Sequence, residues 1–315
     1  MTTKEIYELS VKLGIKSDLR GAEHVKKSLT RVKEKYQKLS KEEKASFDTE
    51  KLINPYSDTR ILVDNNKKKV KKVLVGIDME TPEILLADKL GDVDLVIAHH
   101  PEGAALADLS DVMHLQADVL AGYGVPINIA ESLMKRRVAE VSRGLAPVNH
   151  NRGVDAARLL KIDYMCTHTI ADNLGADFLI KKLEKEKPEY VEDILNMLKK
   201  IPEYVEGEKQ SAGPRLFNGG PENKCGKVAV TEFTGGTSGS KEIYEKMAQA
   251  GVGTILSMHM GEEYRKEAEK YHINVVILGH MSSDSLGMNL FLDEIEKKGV
   301  EVVTISGLSR IKRIK

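Results

Sequence analysis

Short apolar runs rich in β-branched residues alternate with helix-forming segments in two separate stretches of this chain. The first stretch contains VLVGID, DLVIAHH and IDYMCTHT, and the second contains KVAVTEF, TILSMH, NVVILGH and EVVTIS. Runs of this length and composition predict buried strands, and the segments between them show the helical spacing of apolar residues. Because strands that alternate with helices form parallel sheets, we predict an α/β protein with largely parallel sheets.

The two stretches resemble each other, since both have the order strand, loop, helix, strand and then a histidine. We therefore expect two related α/β lobes, at residues 58–177 and 226–315, with a cleft between them. The intervening segment, 178–225, is predicted to be a helical connector because it contains no convincing strand. Residues 1–57 are predicted to form a charged helical N-terminal extension.

Charge and hydropathy argue against several classes of protein. Lys plus Arg and Asp plus Glu both number 48, and the resulting zero formal charge argues against dedicated nucleic-acid binding. The chain has no apolar run of about 18 residues, so we expect no membrane span. Two cysteines and an N-terminus without a signal-peptide pattern lead us to expect a reducing, cytoplasmic location.

Polar side chains lie at the carboxyl ends of four predicted strands, which is where open α/β sheets bind ligands. They are His99 and His100 after DLVIA, His168 and Asp172 after IDYMC, His259 after TILSM, and His280 and Asp284 after NVVILG. A lone histidine at a strand end is usually a hydrogen-bonded structural residue. Histidines and carboxylates at several neighbouring ends together predict a shared site.

The residue types in this set suggest a transition-metal site. Histidine nitrogens combined with carboxylate oxygens suit Zn, Mn, Fe, Co or Ni better than Ca or Mg. Adjacent histidines within a regular strand would point to opposite faces, but Pro101 biases His100 away from helix, so both rings can face one cleft. The two adjacent histidines, a nearby aspartate and a His-xxx-Asp pair make five ligands, which is more than one catalytic zinc normally takes. We therefore expect two divalent ions, about 3.5–4 Å apart as in two-metal hydrolases.

Three other patterns leave alternatives open. TGGTSGSK, residues 234–241, could hold a phosphate at a helix start, but it lacks P-loop spacing and fits a tight structural turn better. His259 with Glu262 and Glu263 forms an alternative metal corner or a substrate contact. Cys166 lies close to a histidine, but its apolar neighbours favour a buried core thiol over a nucleophile.

Several of these segments resemble the Nif-three-like family (NGG-one-interacting factor three), whose members carry the name GTP cyclohydrolase type 2 homologues. The resemblance lies in VKKVLVGID through DLVIAHHPE, in HTIAD, and in KVAVTEF–GGTSG, ILSMHMGEEY and NVVILGHMSSD. It covers roughly residues 58–177 and 226–290. It implies a dinuclear metal site in the cleft between the lobes. The ligands that it implies are His99, His100, Asp172, His280 and Asp284.

The resemblance also implies roles for individual residues. Asp172 would bridge the two ions, and His168 would lie beside the ligands or near the substrate as a proton-transfer group. Asp284 stands where the family usually has glutamate, so its reach is one methylene shorter. Family members assemble as rings, and the resemblance therefore implies a homo-oligomer such as a hexamer.

The favoured function is that of a metal-dependent hydrolase acting on a nucleotide or a related small molecule, since two ions activate water and polarise the scissile bond. A GTP cyclohydrolase-like reaction would attack C8 of a purine, and a phosphoesterase-like reaction would attack phosphorus. The alternative is a non-enzymatic protein for metal binding or metal delivery, or a regulatory scaffold. A nucleotide-binding regulator that used residues 234–241 would survive replacement of His99 and His280.

Overall fold

The computed structural model describes residues 1–66 and 69–314, while Lys67, Lys68 and Lys315 lie outside the described residues. The helices are α1 (Thr3–Lys16), α2 (Ala22–Gln37), α3 (Lys41–Ser46), α4 (Thr81–Leu90), α5 (Gly103–Ala107), α6 (Leu109–Val112), α7 (Leu115–Gly122), α8 (Ile127–Leu145), α9 (Arg152–Leu160), α10 (Thr169–Glu186), α11 (Val191–Leu198), α12 (Pro202–Lys209), α13 (Ile243–Gln249), α14 (Glu262–Lys270) and α15 (His280–Glu296). The strands are β1 (Arg60–Val63), β2 (Lys72–Gly76), β3 (Leu95–Ala98), β4 (Asp163–Cys166), β5 (Arg215–Asn218), β6 (Lys227–Val230), β7 (Val252–Ser257), β8 (Asn274–Ile277) and β9 (Glu301–Ile305). A 3₁₀ helix covers Thr49–Leu52.

Among the described residues, the strands form two sheets that repeat one layout. The first sheet has the order β1-β4-β3-β2-β9, and the second has the order β5-β8-β7-β6. In each sheet the first strand named runs antiparallel to its neighbour, and all other pairs are parallel. The prediction of an α/β protein with two related, largely parallel sheets is confirmed.

Two strands differ from the sequence-based expectation. β5 lies inside the segment that was expected to be only helical, and it was missed because exposed residues such as Arg215 and Phe217 interrupt its apolar pattern. β9 was expected in the second lobe, but it pairs with β2 in the first sheet. Its composition identifies a strand, whereas the choice of sheet depends on contacts distant in sequence. The remaining division of the chain into residue ranges stays a prediction.

The apolar character of the parallel strands follows from their position between helices. Every residue of β3, β4 and β8 is buried, as expected where helices cover both faces of a parallel sheet. The parallel strands of each sheet also end at the same edge, so the residues that follow them are brought together. No helix in the described part of the chain is both long enough and apolar enough to span a membrane.

The N-terminal helix α1 packs into the core instead of extending away from it. Ile6 is fully buried, and the Thr3 hydroxyl donates to Asp163 at the start of β4, with an oxygen–oxygen distance of 2.6 Å. Further along α1, the Gly14 carbonyl accepts a hydrogen bond from the Asn173 side chain on α10 at 3.3 Å. The extension therefore supports the helix that carries Asp172.

Candidate metal centre

Two long helices, α10 and α15, approach each other closely where they leave the two sheets. A Cβ atom at Gly287 would lie 2.2 Å from the Ala171 carbonyl oxygen, so only glycine permits this approach. Asp172 and Asp284 lie near the starts of these helices and are 4% and 1% exposed. The helix contact therefore brings two buried carboxylates into one place, with an oxygen of each within 4.8 Å of the other.

Three histidines surround the Asp284 carboxylate. The Nε2 atom of His99 lies 3.4 Å from Asp284 Oδ1, and the Nε2 atoms of His100 and His280 lie 3.5 Å and 3.6 Å from Oδ2. His99 Nε2 also lies 3.4 Å from Asp172 Oδ1. All five ligand candidates identified in the sequence are therefore brought together. Although Asp284 is shorter than glutamate, its carboxylate reaches all three histidines.

Several of the converging atoms are buried and have no hydrogen-bond partner. They are His99 Nε2, Asp172 Oδ1 and both carboxylate oxygens of Asp284. An unpaired buried polar atom costs about 1–3 kcal/mol, and a charged one costs more. A cation with histidine nitrogen and carboxylate oxygen ligands would satisfy all of them at once, and this donor set suits a divalent transition metal.

The three first-lobe histidines at the centre are each held through Nδ1 by a backbone or carboxylate oxygen. The Nδ1 atom of His99 lies 3.1 Å from the Thr167 carbonyl oxygen, and the Nδ1 atom of His100 lies 2.7 Å from Asp78. The Nδ1 atom of His168 lies 2.9 Å from Asp58, which also accepts from the Thr169 hydroxyl and Thr169 amide. Because carbonyl and carboxylate oxygens accept, each Nδ1 carries a proton, and Nε2 is the nitrogen directed to the centre, as in metal sites.

Sequence reasoning missed both of these carboxylates. Asp78 lies two residues beyond the end of β2, so a search of every strand end would have found it. Asp58 precedes β1 and reaches His168 across 110 positions of the chain, and no local pattern marks it. Their effect is to fix the orientation and tautomer of the histidines.

Burial and neighbouring charges shift the pKa values of the site residues in different directions. Burial, with the charges of Asp284 and Asp58, raises the pKa of Asp172 well above its usual value. Burial alone would also raise the pKa of Asp284, but the adjacent histidines, His99 first, outweigh it and lower that pKa. Burial would lower the pKa of His100, yet Asp284 and Asp78 raise it to about 9. Binding of a cation would therefore displace protons from Asp172 and His100.

His168 lies beside the proposed ligands. Its Nε2 atom is 3.9 Å from Asp172 Oδ2, and its ring centroid is 5.0 Å from that of His99. It also lines a narrow pocket of about 280 Å³ together with His259 and His280. This position is compatible with the proton-transfer role that the resemblance implies for it, because the Asp58 contact leaves Nε2 free to act in the pocket.

The alternative metal corner does not form. Glu262 and Glu263 lie on the exposed face of α14, where they pair with Arg265 and Lys266. His259 instead borders the centre, with its ring centroid 4.9 Å from that of His280. His259 is therefore a neighbour of the candidate metal centre and does not belong to a second metal site.

The glycine-rich turn and the cysteine are likewise placed by the structure. Gly235 and Gly236 have φ angles of 89° and 90°, and the Gln116 side chain donates to the carbonyl oxygens of Gly235 and Thr237. The turn therefore packs against α7 and contributes Thr234, Gly236 and Thr237 to the narrow pocket.

Cys166 is buried, and burial raises its pKa to about 12, which disfavours the reactive thiolate.

Glu232 is a further residue of the site that sequence reasoning missed. It lies two residues beyond the end of β6, in the position that Asp78 occupies after β2. One of its oxygens accepts from the Tyr244 hydroxyl at 3.2 Å, and the other is buried without a hydrogen-bond partner. Its φ of 52° lies in the left-handed region, where residues other than glycine are strained. Burial raises the pKa of Glu232 to about 7.

We expect Glu232→Gln to stabilise the fold at pH 8 and to have little effect at pH 4.5. Because the pKa of Glu232 is higher in the folded state, the folded protein binds more protons, and stability falls as the pH rises from 4.5 to about 7. Each pKa unit corresponds to about 1.4 kcal/mol, so the gain above pH 7 should be at most about 4 kcal/mol. Unfolding midpoints across this range measure it.

The matched control is Glu263→Gln, which changes an exposed carboxylate on α14. Its unfolding midpoint should follow the wild-type midpoint at every pH. If the Glu232→Gln midpoint differs from the wild-type midpoint equally at pH 4.5 and pH 8, the carboxylate does not carry the burial cost assigned to it.

Comparison with known proteins gives one family and several similar folds. The family model described as Duf34/NIF3 (NGG1p interacting factor 3) matches residues 46–309. The crystal structure of a NIF3 superfamily protein from Sphaerobacter thermophilus is 23% identical, with a TM-score of 0.79, covering 98% of this chain and 99% of that chain. Reduced HcgD from Methanocaldococcus jannaschii is 18% identical, with a TM-score of 0.50, covering 78% of this chain and 87% of that chain. At these identities the structures show a shared fold. No protein with a curated description matches the chain.

Proposed function

Because this chain belongs to the Duf34/NIF3 family, we propose that it is a dinuclear metal-dependent hydrolase of a nucleotide or a related small molecule. The family membership confirms the resemblance drawn from HTIAD and GHMSSD. The observation that carries the proposal is the convergence of buried ligand atoms without partners, on His99, Asp172 and Asp284. Without a cation at this place, these atoms would remain buried and unpaired, which is unfavourable in free energy.

The candidate ligand atoms form three overlapping groups, two of which share one carboxylate. These two are His99, Asp172 and Asp284, and His100, His280 and Asp284, while the third is His99, His100 and His168. This grouping supports Asp284 as the carboxylate common to two ions, whereas the resemblance implies that role for Asp172. Five protein ligands for two ions would leave positions open for a substrate.

The residues around the ligands have roles that follow from their contacts. When bound, two divalent ions would supply Lewis acidity and make water a stronger nucleophile near neutral pH. His168 is held through Nδ1 by Asp58 and would accept or return a proton at Nε2. Asp78 holds His100 in one orientation, and the burial of His99 and Asp172 keeps bulk water from the inner half of the site.

Elemental analysis of the purified chain, reloaded with zinc, manganese, cobalt or iron, tests the metal part of the proposal. We expect close to two ions per chain, and fewer than one for Asp172→Ala. Asp155→Asn, which changes an exposed carboxylate on α9, should keep the wild-type content. A wild-type chain that binds close to no transition metal would end the dinuclear proposal.

A turnover screen of the metal-loaded chain against GTP, cyclic nucleotides and phosphodiesters tests the hydrolase part. His168→Ala should keep the metal and lose most of the turnover, by about 100-fold or more, since positioned proton transfer contributes about 10²–10⁴-fold. If the wild-type chain holds two ions and turns over none of these compounds, a role in metal binding or delivery replaces the hydrolase.

A further inference from the structure

An open groove lies against the second-lobe side of the metal centre. It has a volume of about 610 Å³ and lies next to His259 and His280. We call it the outer groove, and its main lining residues are Arg215, Phe217, Met258, Met260, His259 and His280. It is larger than the narrow pocket on the Glu232 side.

The two lobes hold their histidines differently, and the difference points to this groove. His100 and His259 both lie two residues beyond the end of a strand, after β3 and β7. In the first lobe, Asp78, which is not one of the candidate ligands, bonds to Nδ1 of His100. Among the described residues, no carboxylate outside the centre bonds to His259 or His280. The second-lobe histidines, which line the outer groove, therefore have no counterpart of Asp78.

The outer groove carries positive charge. Arg215 has no carboxylate within 4 Å among the described residues, and its recorded bond runs from Nη2 to the Ser211 carbonyl oxygen at 2.5 Å. None of the described residues that line the groove is acidic. An unpaired guanidinium beside a metal centre favours an anionic group, and it would hold a phosphate or carboxylate with two N–H donors.

An aromatic ring lines the outer groove together with this cation. Phe217 is 41% exposed and follows Arg215 by two residues. The pairing of β5 is irregular between Leu216 and Asn218, and the side chains of Arg215 and Phe217 both line the groove. The intervening Leu216 packs against the core. The groove therefore offers one small ligand both a ring for stacking and a cation.

We propose that the outer groove binds a small molecule that combines a flat ring with an anionic group, as a nucleoside monophosphate does. Arg215 pairs with the anion, Phe217 stacks on the ring, and the His280 side of the groove directs the molecule toward the metal centre. This inference rests on the proposed function, because it names the substrate class of the same site.

Calorimetric titration of adenosine 5′-monophosphate, adenosine and inorganic phosphate into the zinc-loaded chain tests the inference. The monophosphate should bind more tightly than either of its parts. Arg215→Ala should weaken the monophosphate by about 10- to 100-fold and leave adenosine unchanged. Phe217→Ala should weaken both the monophosphate and adenosine by about 10-fold. Arg158→Ala and Leu159→Ala, on the exposed face of α9, should bind like the wild type.

The outcomes separate this inference from the proposed function. Zinc content is measured on every sample, and the titration is repeated on the metal-free chain. If the chain binds no zinc and the monophosphate still depends on Arg215, the groove stands and the proposed function fails. If zinc binds but the wild type does not take up the monophosphate, or Arg215→Ala binds it equally well, the inference is overturned. It is also overturned if Phe217→Ala changes the subunit number in light scattering and leaves monophosphate affinity unchanged.

Discussion

Replacing Asp284 with asparagine is expected to abolish most of the metal binding at the proposed centre. Both oxygens of Asp284 are buried without hydrogen-bond partners, and they lie 3.4–3.6 Å from the Nε2 atoms of three histidines. The amide keeps the size of the side chain but removes its charge and one of its two oxygen ligands. Loss of an outer partner typically costs 10- to 100-fold in metal affinity, so loss of this shared ligand should cost at least about 100-fold.

The affinity for zinc can be measured by competition with a chelator of known strength. Glu294→Gln is the matched control, since it changes a surface carboxylate on the same helix, where it pairs with Lys297. Asp284→Glu keeps the carboxylate charge and introduces the residue usual in the family, so this variant should bind zinc within about 10-fold of the wild type. Wild-type affinity in Asp284→Asn would place the metal elsewhere, and an equal loss in Glu294→Gln would indicate damage to the helix instead.

The sequence could predict which residues converge at the candidate metal centre because their signals are local. His99, His168 and His280 lie one, two and three residues beyond the end of a buried strand, and parallel strands end at a common edge of the sheet. The i, i+4 spacing from His168 to Asp172 and from His280 to Asp284 recurs after equivalent strands, and both pairs lie at the centre.

The residues that could not be predicted act through contacts between distant parts of the chain. Asp58 holds His168 from before β1, and β9 crosses from the second stretch to pair with β2. Glu232 is an intermediate case, because its signal lies in the repeat itself. Glu232 and Asp78 occupy the same position, two residues beyond the ends of β6 and β2, and this match becomes visible only when the two strands are compared with each other.

The C-terminal segment shows the same limit. RIKRIK is a short basic tail by composition, yet Arg313 forms a two-pronged ion pair with Glu203 at the start of α12, with both nitrogen–oxygen distances at 2.7 Å. The Glu203 residue is 1% exposed, and it also accepts from the Asn289 side chain at 2.9 Å. The tail therefore fastens α12 to α15 through a buried carboxylate, which no pattern near residue 313 could reveal.

Arg313→Ala is consequently expected to lower the free energy of unfolding by about 3–5 kcal/mol, because it leaves the Glu203 carboxylate buried without its cation. Lys312→Ala, one position away, should cost less than about 1 kcal/mol, since Lys312 is mostly exposed where it pairs with Glu296. Urea unfolding curves of both variants give the comparison, with coincident probes used to check that the transition is cooperative.

The double variant Glu203→Gln/Arg313→Ala identifies the cause of the loss. If the unpaired carboxylate is responsible, neutralising it should return most of the lost stability, and the two changes should be strongly non-additive. Equal losses in Arg313→Ala and Lys312→Ala would contradict this, because the effect would then follow from the charge of the tail and not from the buried pair. Loss of stability in Arg313→Ala without recovery in the double variant would assign it instead to the packing of the Arg313 stem, whose guanidinium lies 5.6 Å from the Phe178 ring centroid.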